Sequence, residues 1–187
     1  MNKEKAIKIS GIALLVILLL TTKKAIKKVM NDQVKRDFIN KITAHAKPLG
    51  AKIGVPWQFI VAQVALETRY GQSTLFSKYN NVGGVKAVGN QKFVSLPTKE
   101  DADPTKNDGR TITVYQKFAV YPTLSDGLVA HAKVLTNRYF KQYQNKTSDP
   151  VQYARLLQSG APKYATDDLY INKISNTLKD INRVMLI

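Results

Sequence analysis

Residues 57–71 read WQFIVAQVALETRYG, and this stretch decides the fold because its apolar residues recur at helical spacing. Pro56, directly before it, suits the first turn of a helix, and Gly71 suits the end of one. The apolar positions are Trp57, Ile60, Val61, Val64, Ala65 and Leu66. So few polar residues interrupt them that the pattern predicts a helix buried on most of its surface.

Glu67 is the one acidic residue of that stretch. It follows Ile60 by seven residues and Val64 by three, which predicts a position on the apolar stripe of the helix. Desolvation and the partial negative charge of the helix end both disfavour a carboxylate, so we expect a raised pKa. A carboxyl group that keeps its proton near neutral pH is what general acid cleavage of a glycosidic bond requires. An ion pair with Arg69 or a nearby lysine is the alternative that the spacing leaves open.

The rest of the chain predicts an α+β domain that is mostly helical, with one small β-hairpin. Helical patterns run over residues 38–50, 125–137, 148–160 and 167–181, with Ser125 as a candidate N-cap. Alternating segments at residues 92–96 and 111–118 predict the two strands of the hairpin. Residues 101–109 are rich in turn-forming residues and predict its polar tip.

Glu100 lies at the shoulder of this hairpin and supplies a second candidate carboxylate. If Glu100 faces the end of the Glu67 helix, its carboxylate would activate a water molecule. Two carboxyl groups about 6.5–9.5 Å apart suit an inverting glycosidase, and about 5–5.5 Å suits a covalent nucleophile. On the residues alone, a solvated turn formed with Asp101 and Asp103 is the favoured alternative.

The N-terminus predicts a membrane-attached segment. Residues 9–20 form an apolar run with lysines on both sides, but as a helix they cover only about 18 Å of a hydrocarbon core of about 30 Å. A cleaved signal peptide and a retained transmembrane or signal-anchor helix are the two interpretations. The absence of a small-residue cleavage site after Leu20 favours the anchor. We therefore predict an anchor and a basic helical stalk over residues 1–37, and a folded domain over residues 38–187.

The charge of the chain predicts a polyanionic partner. There are 29 lysines and arginines against 13 aspartates and glutamates, a formal net charge of +16, and no cysteine. Nucleic acid, acidic lipid and an anionic cell wall all fit such a charge, but no recognised nucleic-acid-binding fold or motif is present. His45 and His131 are isolated from other metal-ligand residue types, so we expect packing or surface roles for them and no metal.

Several short segments, taken in order, resemble one known family. AQVALETRYG at residues 62–71 resembles its Ala-Gln-Ala-x-Leu-Glu-Ser-x-Trp-Gly helix, and NNVGGVK at 80–86 resembles its Asn-Leu-Phe-Gly-Ile-Lys loop, with Gly83 at the Phe position. TKE at 98–100 resembles its Thr-x-Glu, and FAVY at 118–121 its Phe-Arg-x-Tyr. KYATDDLY at 163–170 is similar to its Tyr-Ala-Thr-Asp-Pro-x-Tyr segment. Residues 38–186 thereby resemble glycoside hydrolase family 73, the N-acetylglucosaminidases of the flagellar-rod and autolysin type.

The resemblance implies a lysozyme-like fold and hydrolysis of the β-1,4 bond after N-acetylglucosamine in peptidoglycan, with no cofactor. It makes Glu67 the catalytic acid and places Tyr164 in the active site. Glu100 would be the base for water, or would play a lesser part beside the substrate's own acetamido group. The candidate substrate contacts are Tyr70, Asn81, Lys86 and Tyr121.

Three alternatives to this reaction stay open. The first is a wall-binding scaffold that keeps the fold without turnover, and the others are a muramidase and a lytic transglycosylase, which differ in the bond cut or the product formed. For location, the anchor and the charge predict either a cell-envelope protein facing the wall or a protein of a phage virion membrane.

Overall fold

The protein is described by a computed structural model over residues 11–101 and 110–186. Six helices, a 3-10 turn and a two-stranded antiparallel sheet are described in these ranges. In chain order they are α1 (Gly11–Ile53), α2 (Trp57–Thr68), α3 (Thr74–Tyr79), β1 (Phe93–Asp101), β2 (Thr111–Ala119), α4 (Leu124–Leu135), the 3-10 turn (Lys141–Tyr143), α5 (Pro150–Ser159) and α6 (Tyr170–Met185). The predicted mostly helical architecture with one hairpin is confirmed.

The core forms where α1, α2, α5 and α6 pack together around the predicted apolar helix. Seven consecutive residues of α2, from Phe59 to Ala65, are buried, as that pattern predicted. Phe59 of α2 meets Tyr153 of α5 edge to face, with ring centroids 4.9 Å apart. Because α2 is enclosed on nearly all sides, its C-terminal end is held firmly in place.

The hairpin is longer than predicted. Its register runs from Phe93 opposite Ala119 to Asp101 opposite Thr111, so β1 continues through Pro97 to Asp101. Most of the predicted tip, residues 102–109, lies outside the described residues. An isolated bridge between Lys86 and Phe118 joins the preceding loop to β2, which fixes that loop against the sheet.

Helix α4 begins earlier than predicted, and Ser125 is not its N-cap. Thr123 is the N-cap, because its hydroxyl accepts a hydrogen bond from the Asp126 amide at 3.1 Å. The Asp126 carboxylate accepts one in return from the Thr123 amide at 3.2 Å. This reciprocal capping box satisfies two otherwise unpaired amides. At α5, by contrast, the predicted start is confirmed, with Asp149 as N-cap and Pro150 in the first turn.

Helix α1 runs without interruption across the predicted boundary at residue 38. Asp32 is only 5% exposed, because Arg183 of α6 donates to both of its carboxylate oxygens at 2.9 and 3.0 Å. Lys35 extends the contact with an ion pair to Asp180 at 2.6 Å. The packed domain therefore includes the last turns of the predicted stalk.

No helix in the part of the chain described here is long and apolar enough to cross a membrane. Residues 1–10 of the predicted N-terminal anchor lie outside the described ranges. Residues 24–31 of α1 are exposed to solvent along their whole length.

Candidate active site

A cavity of about 640 Å³ opens beside the C-terminal end of α2. Residues from α2, from the loop after α3, from α4, and from α6 and the segment before it form its walls. They include Glu67, Arg69, Gly83, Lys86, His131, Tyr164, Asp167, Tyr170 and Lys173. Three of the predicted site residues, Glu67, Tyr164 and Lys86, are thereby brought together from distant parts of the chain.

Glu67 lies in the last turn of α2, and its side chain is exposed to the cavity rather than enclosed in the core. The prediction that it lies within the buried stripe is wrong, because the stripe leaves the core at this turn. Desolvation by the surrounding walls still raises the pKa of Glu67, as expected. No lysine or arginine of the described ranges forms a salt bridge with it, so the alternative ion pair with Arg69 is not formed.

Tyr164 contributes a phenol to the same cavity. Its oxygen accepts a short hydrogen bond from the side-chain amide of Gln63, and its ring packs edge to face on Phe140. Burial raises the pKa of Tyr164 to about 12, and the charge of Glu67 adds to the shift. Tyr164 therefore keeps its proton at neutral pH. Since Gln63 already donates to the oxygen, the hydroxyl hydrogen is left to point toward another acceptor.

Gln63 and His131 form a buried polar network beneath Tyr164. Gln63 is 1% exposed and also donates to the hydroxyl of Tyr170, at 3.3 Å. Its carbonyl oxygen lies 3.0 Å from Nε2 of His131, which must carry the hydrogen because that oxygen only accepts. Sequence reasoning gave no role to Gln63 and expected packing or surface roles for the histidines. The only available signal was the glutamine of the resembling AQ motif.

Burial lowers the pKa of His131 to about 4 from an ordinary value of 6.5, so the ring is neutral at physiological pH. Below pH 6.5 the unfolded chain takes up a proton here that the folded chain does not, so stability falls as pH falls toward 4. We expect this residue to cost about 2 kcal/mol of unfolding free energy between pH 7 and pH 5. Chemical denaturation at both pH values measures it.

The matched variant for that prediction is His131→Gln, which keeps a donor for Gln63 and removes the titration. Its loss of stability between the two pH values should be smaller than that of the wild type by the same amount. An equal loss in both proteins would mean that other groups cause the acid sensitivity.

The loop before the hairpin places Lys86 and Gly83 at the cavity. Asn81, only 1% exposed, holds this loop by donating to the Val85 and Ala119 carbonyls at 2.8 and 2.9 Å and by accepting from the Val85 amide. A Cβ added to Gly83 would lie 2.2 Å from Nδ1 of His131. His131 thus occupies the space in which a side chain at residue 83 would lie.

Three of the predicted substrate contacts do not line this cavity as described. Asn81 is buried in the loop contacts given above. Tyr70 points toward α1 and α6, where its hydroxyl donates to Asp180 at 2.8 Å and its ring meets Phe38. Tyr121 follows β2, and its carbonyl accepts from the side chain of Asn80 at 3.0 Å. For Asn81 and Tyr70, the side-chain contacts point to holding the walls of the cavity in place.

Glu100 lies in β1, with its backbone opposite Ile112 of β2. Its side chain is outside the described residues, so its separation from Glu67 stays a prediction. Among the side chains that the structure describes, no group of three or more His, Asp and Glu could hold a metal ion.

The chain that forms this site is similar to several known proteins. A family model described as Mannosyl-glycoprotein endo-beta-N-acetylglucosaminidase (Glucosaminidase) matches residues 43–183. The peptidoglycan hydrolase FlgJ of Escherichia coli K12 is 28% identical over 168 residues, covering 86% of this chain and 52% of that protein. The exo-glucosaminidase LytG of Bacillus subtilis is 31% identical over 145 residues, covering 74% and 48%. A probable N-acetylmuramidase of Lactococcus lactis is 27% identical over 190 residues, covering 96% and 42%.

The catalytic domain of the autolysin Auto from Listeria monocytogenes has a similar structure, with a TM-score of 0.69 and 26% identity over 82% of this chain and 88% of that domain. The chain spans about half the length of the curated relatives it matches. The segment matched by the family model contains the cavity residues Glu67, Lys86, His131 and Tyr164, and also Gln63, which hydrogen-bonds to two of them.

Proposed function

The chain belongs to the glucosaminidase family, glycoside hydrolase family 73, with a lysozyme-like fold, and we propose that it hydrolyses the β-1,4 bond after N-acetylglucosamine in bacterial peptidoglycan. One observation carries the proposal: a carboxyl group with a raised pKa and no cationic partner among the described residues, Glu67, shares a cavity with the protonated phenol of Tyr164. The relatives named above as peptidoglycan hydrolase and exo-glucosaminidase support the substrate.

Glu67 acts as the general acid in this proposal. It donates its proton to the glycosidic oxygen as the bond to the anomeric carbon breaks and the sugar approaches an oxocarbenium ion. Desolvation by the cavity walls raises the pKa of Glu67, so a larger fraction of the protein holds this proton at a given pH than with an ordinary carboxyl group. Tyr164 donates a hydrogen bond to a substrate oxygen, and Gln63 holds the phenol in the orientation that this requires.

The role of Glu100 distinguishes two routes for the attacking group. As the base that activates water, Glu100 would be nearly as important as the acid, and Glu100→Gln would lower kcat by about 100-fold or more. If the acetamido group of the substrate attacks instead, the same variant keeps most of its activity. The comparison is informative because the substitution leaves the length of the side chain unchanged.

Mass spectrometry of the fragments released from purified peptidoglycan tests the proposed bond. We expect fragments that end in reducing N-acetylglucosamine. Reducing N-acetylmuramic acid would assign a muramidase instead, as the name of the Lactococcus lactis relative suggests for that protein. An anhydro sugar would assign a lytic transglycosylase. Wall binding without any released fragment would assign a scaffold.

We also propose that the N-terminal segment attaches the domain to a membrane, facing the wall of a cell or lying in a virion. The support is the apolar run at residues 9–20 and the lysines beside it, which complement anionic headgroups. We expect the full chain to sediment with vesicles of anionic phospholipid and a Leu15→Asp, Leu18→Asp variant to stay in solution. Equal sedimentation of both proteins would contradict this attachment.

A further inference from the structure

Two cations in the wall of the cavity have no acidic partner among the side chains that the structure describes. They are Arg69, directly after α2, and Lys86, in the loop before β1. Each side chain is exposed, and neither takes part in a salt bridge of the described residues. A third cation of the wall, Lys173, is paired with Asp167 at 2.5 Å. The free positive charge of the cavity therefore belongs to Arg69 and Lys86.

The backbone fixes the position of Arg69. Arg69 and Tyr70 both have left-handed backbone conformations, with φ of 51° and 55°, which residues other than glycine rarely adopt. The Tyr70 amide donates to the carbonyl of Ala65 at 2.9 Å, which closes the turn at the end of α2. Such strain persists only where surrounding contacts enforce it, and it concentrates at functional sites.

Tyr70 supplies those contacts on the side away from the cavity. Its hydroxyl donates to Asp180, its ring packs against Phe38, and Lys35 lies 4.7 Å above the ring centroid. With Tyr70 fixed against α1 and α6, the preceding residue, Arg69, is directed to the cavity wall.

Lys86 is held with similar firmness on a separate element. The backbone of Lys86 forms a β-bridge with Phe118, and the amide of the next residue, Ala87, donates to the carbonyl of Lys117 at 3.0 Å. The buried side chain of Asn81 donates to the carbonyl of the preceding residue, Val85. The two unpaired cations therefore reach one cavity from two fixed backbone positions, so binding an anion between or beside them orders their side chains without also ordering a loop.

We infer that Arg69 and Lys86 bind a carboxylate carried by the substrate, so that the site prefers glycan strands with charged substituents over neutral N-acetylglucosamine polymers. This inference rests on the proposed function. In peptidoglycan, such carboxylates belong to the stem peptides or, where the peptide has been removed, to the lactyl group of N-acetylmuramic acid. Arginine and lysine are the side chains that bind carboxylates by charge-assisted hydrogen bonds.

The test measures binding in a Glu67→Gln background, so that it does not depend on turnover. The added variant is Arg69→Gln with Lys86→Gln, and the control is Lys78→Gln with Lys179→Gln, which removes the same charge from exposed residues outside the cavity wall. The probes are soluble peptidoglycan fragments with peptides, the same strands after amidase removal of the peptides, fragments with amidated carboxyl groups, and neutral N-acetylglucosamine oligomers.

We expect the Arg69, Lys86 variant to bind the fragments with peptides about tenfold more weakly than its background, and the control to bind them within about twofold. Both should bind neutral oligomers and amidated fragments like the background. A loss confined to the intact fragments assigns a carboxylate of the stem peptide. A loss confined to the peptide-free strands assigns the lactyl carboxylate, which is an amide until the amidase removes the peptide, and a loss on both probes means that either carboxylate is bound.

Unchanged binding to the charged fragments, an equal loss on neutral oligomers, or an equal loss in the control would overturn the inference. Turnover by the protein with Glu67 intact is measured separately. Its absence on every substrate would remove the proposed hydrolysis while the binding comparison still decides whether Arg69 and Lys86 recognise a carboxylate.

Discussion

Glu67→Gln should lower the rate of peptidoglycan hydrolysis by about 100- to 10,000-fold, because the amide cannot give up a proton to the leaving oxygen. Stability should stay the same or rise, since a carboxyl group whose ionised form is disfavoured by desolvation is replaced by a neutral group of the same shape. Clearing of a peptidoglycan gel and thermal unfolding, measured on the same preparation, check both statements.

The control for this loss is Asp126→Asn, which makes the same chemical change at the N-terminus of α4, outside the cavity wall. It weakens a helix cap and should leave the rate per folded molecule unaltered. Full activity of Glu67→Gln would rule out Glu67 as the acid and with it the proposed mechanism.

The wild-type rate should also depend on pH in one direction. Because Glu67 must be protonated to act, activity falls as pH rises through its pKa. The raised pKa moves this fall to higher pH than an ordinary glutamate would give. A falling limb at the pKa of a free carboxyl group would contradict the desolvated site.

Gly127 lies inside α4 and faces the end of α3. A Cβ there would lie 1.8 Å from the carbonyl oxygen of Asn80, and the backbone of Asn80 cannot move freely because its side chain donates to the carbonyls of Tyr121 and Pro122. We expect Gly127→Ala to reduce the free energy of unfolding by about 3 kcal/mol, although alanine favours an isolated helix. Denaturant titration measures it.

Ser125→Ala, at an exposed position of the same helix, is the matched control and should change stability by less than about 0.5 kcal/mol. For Gly127→Ala, the sign of the change in the free energy of unfolding decides the question. A gain in stability, as at an unobstructed helical glycine, would mean that α4 and the loop at Asn80 do not approach as closely as described.

Local patterns were sufficient to predict the elements that carry the acid. The apolar spacing of residues 57–71 predicted α2, its burial and the direction of the Glu67 pKa shift, because all three depend on neighbours within a few turns. The hairpin followed from alternation in the same way. Exposure of Glu67 to the cavity was not predicted, because it depends on how distant segments of the chain pack around the C-terminal end of α2 and leave it partly uncovered.

Contacts between distant residues account for what the sequence did not reveal. The network of Gln63, His131 and Tyr164 joins residues 101 and 68 positions apart, and nothing in the spacing of any one of them indicates the others. The same holds for Asp32 and Arg183, 151 positions apart, which carry the packed domain past the predicted boundary. Tyr70 stands at the Trp position of a family motif, yet its partners lie on α1 and α6.

Helix α1 has a mechanical consequence. Because one unbroken helix carries Asp32, where packing on α6 begins, and also the turns back to Gly11, the two ends cannot swing independently as they would across a glycine-rich linker. Those turns are about 30 Å long at 1.5 Å per residue. If the N-terminal end is attached to a surface, the length of this helix would therefore set the distance between that surface and the cavity. The cavity would then reach only the glycan strands that lie at that distance.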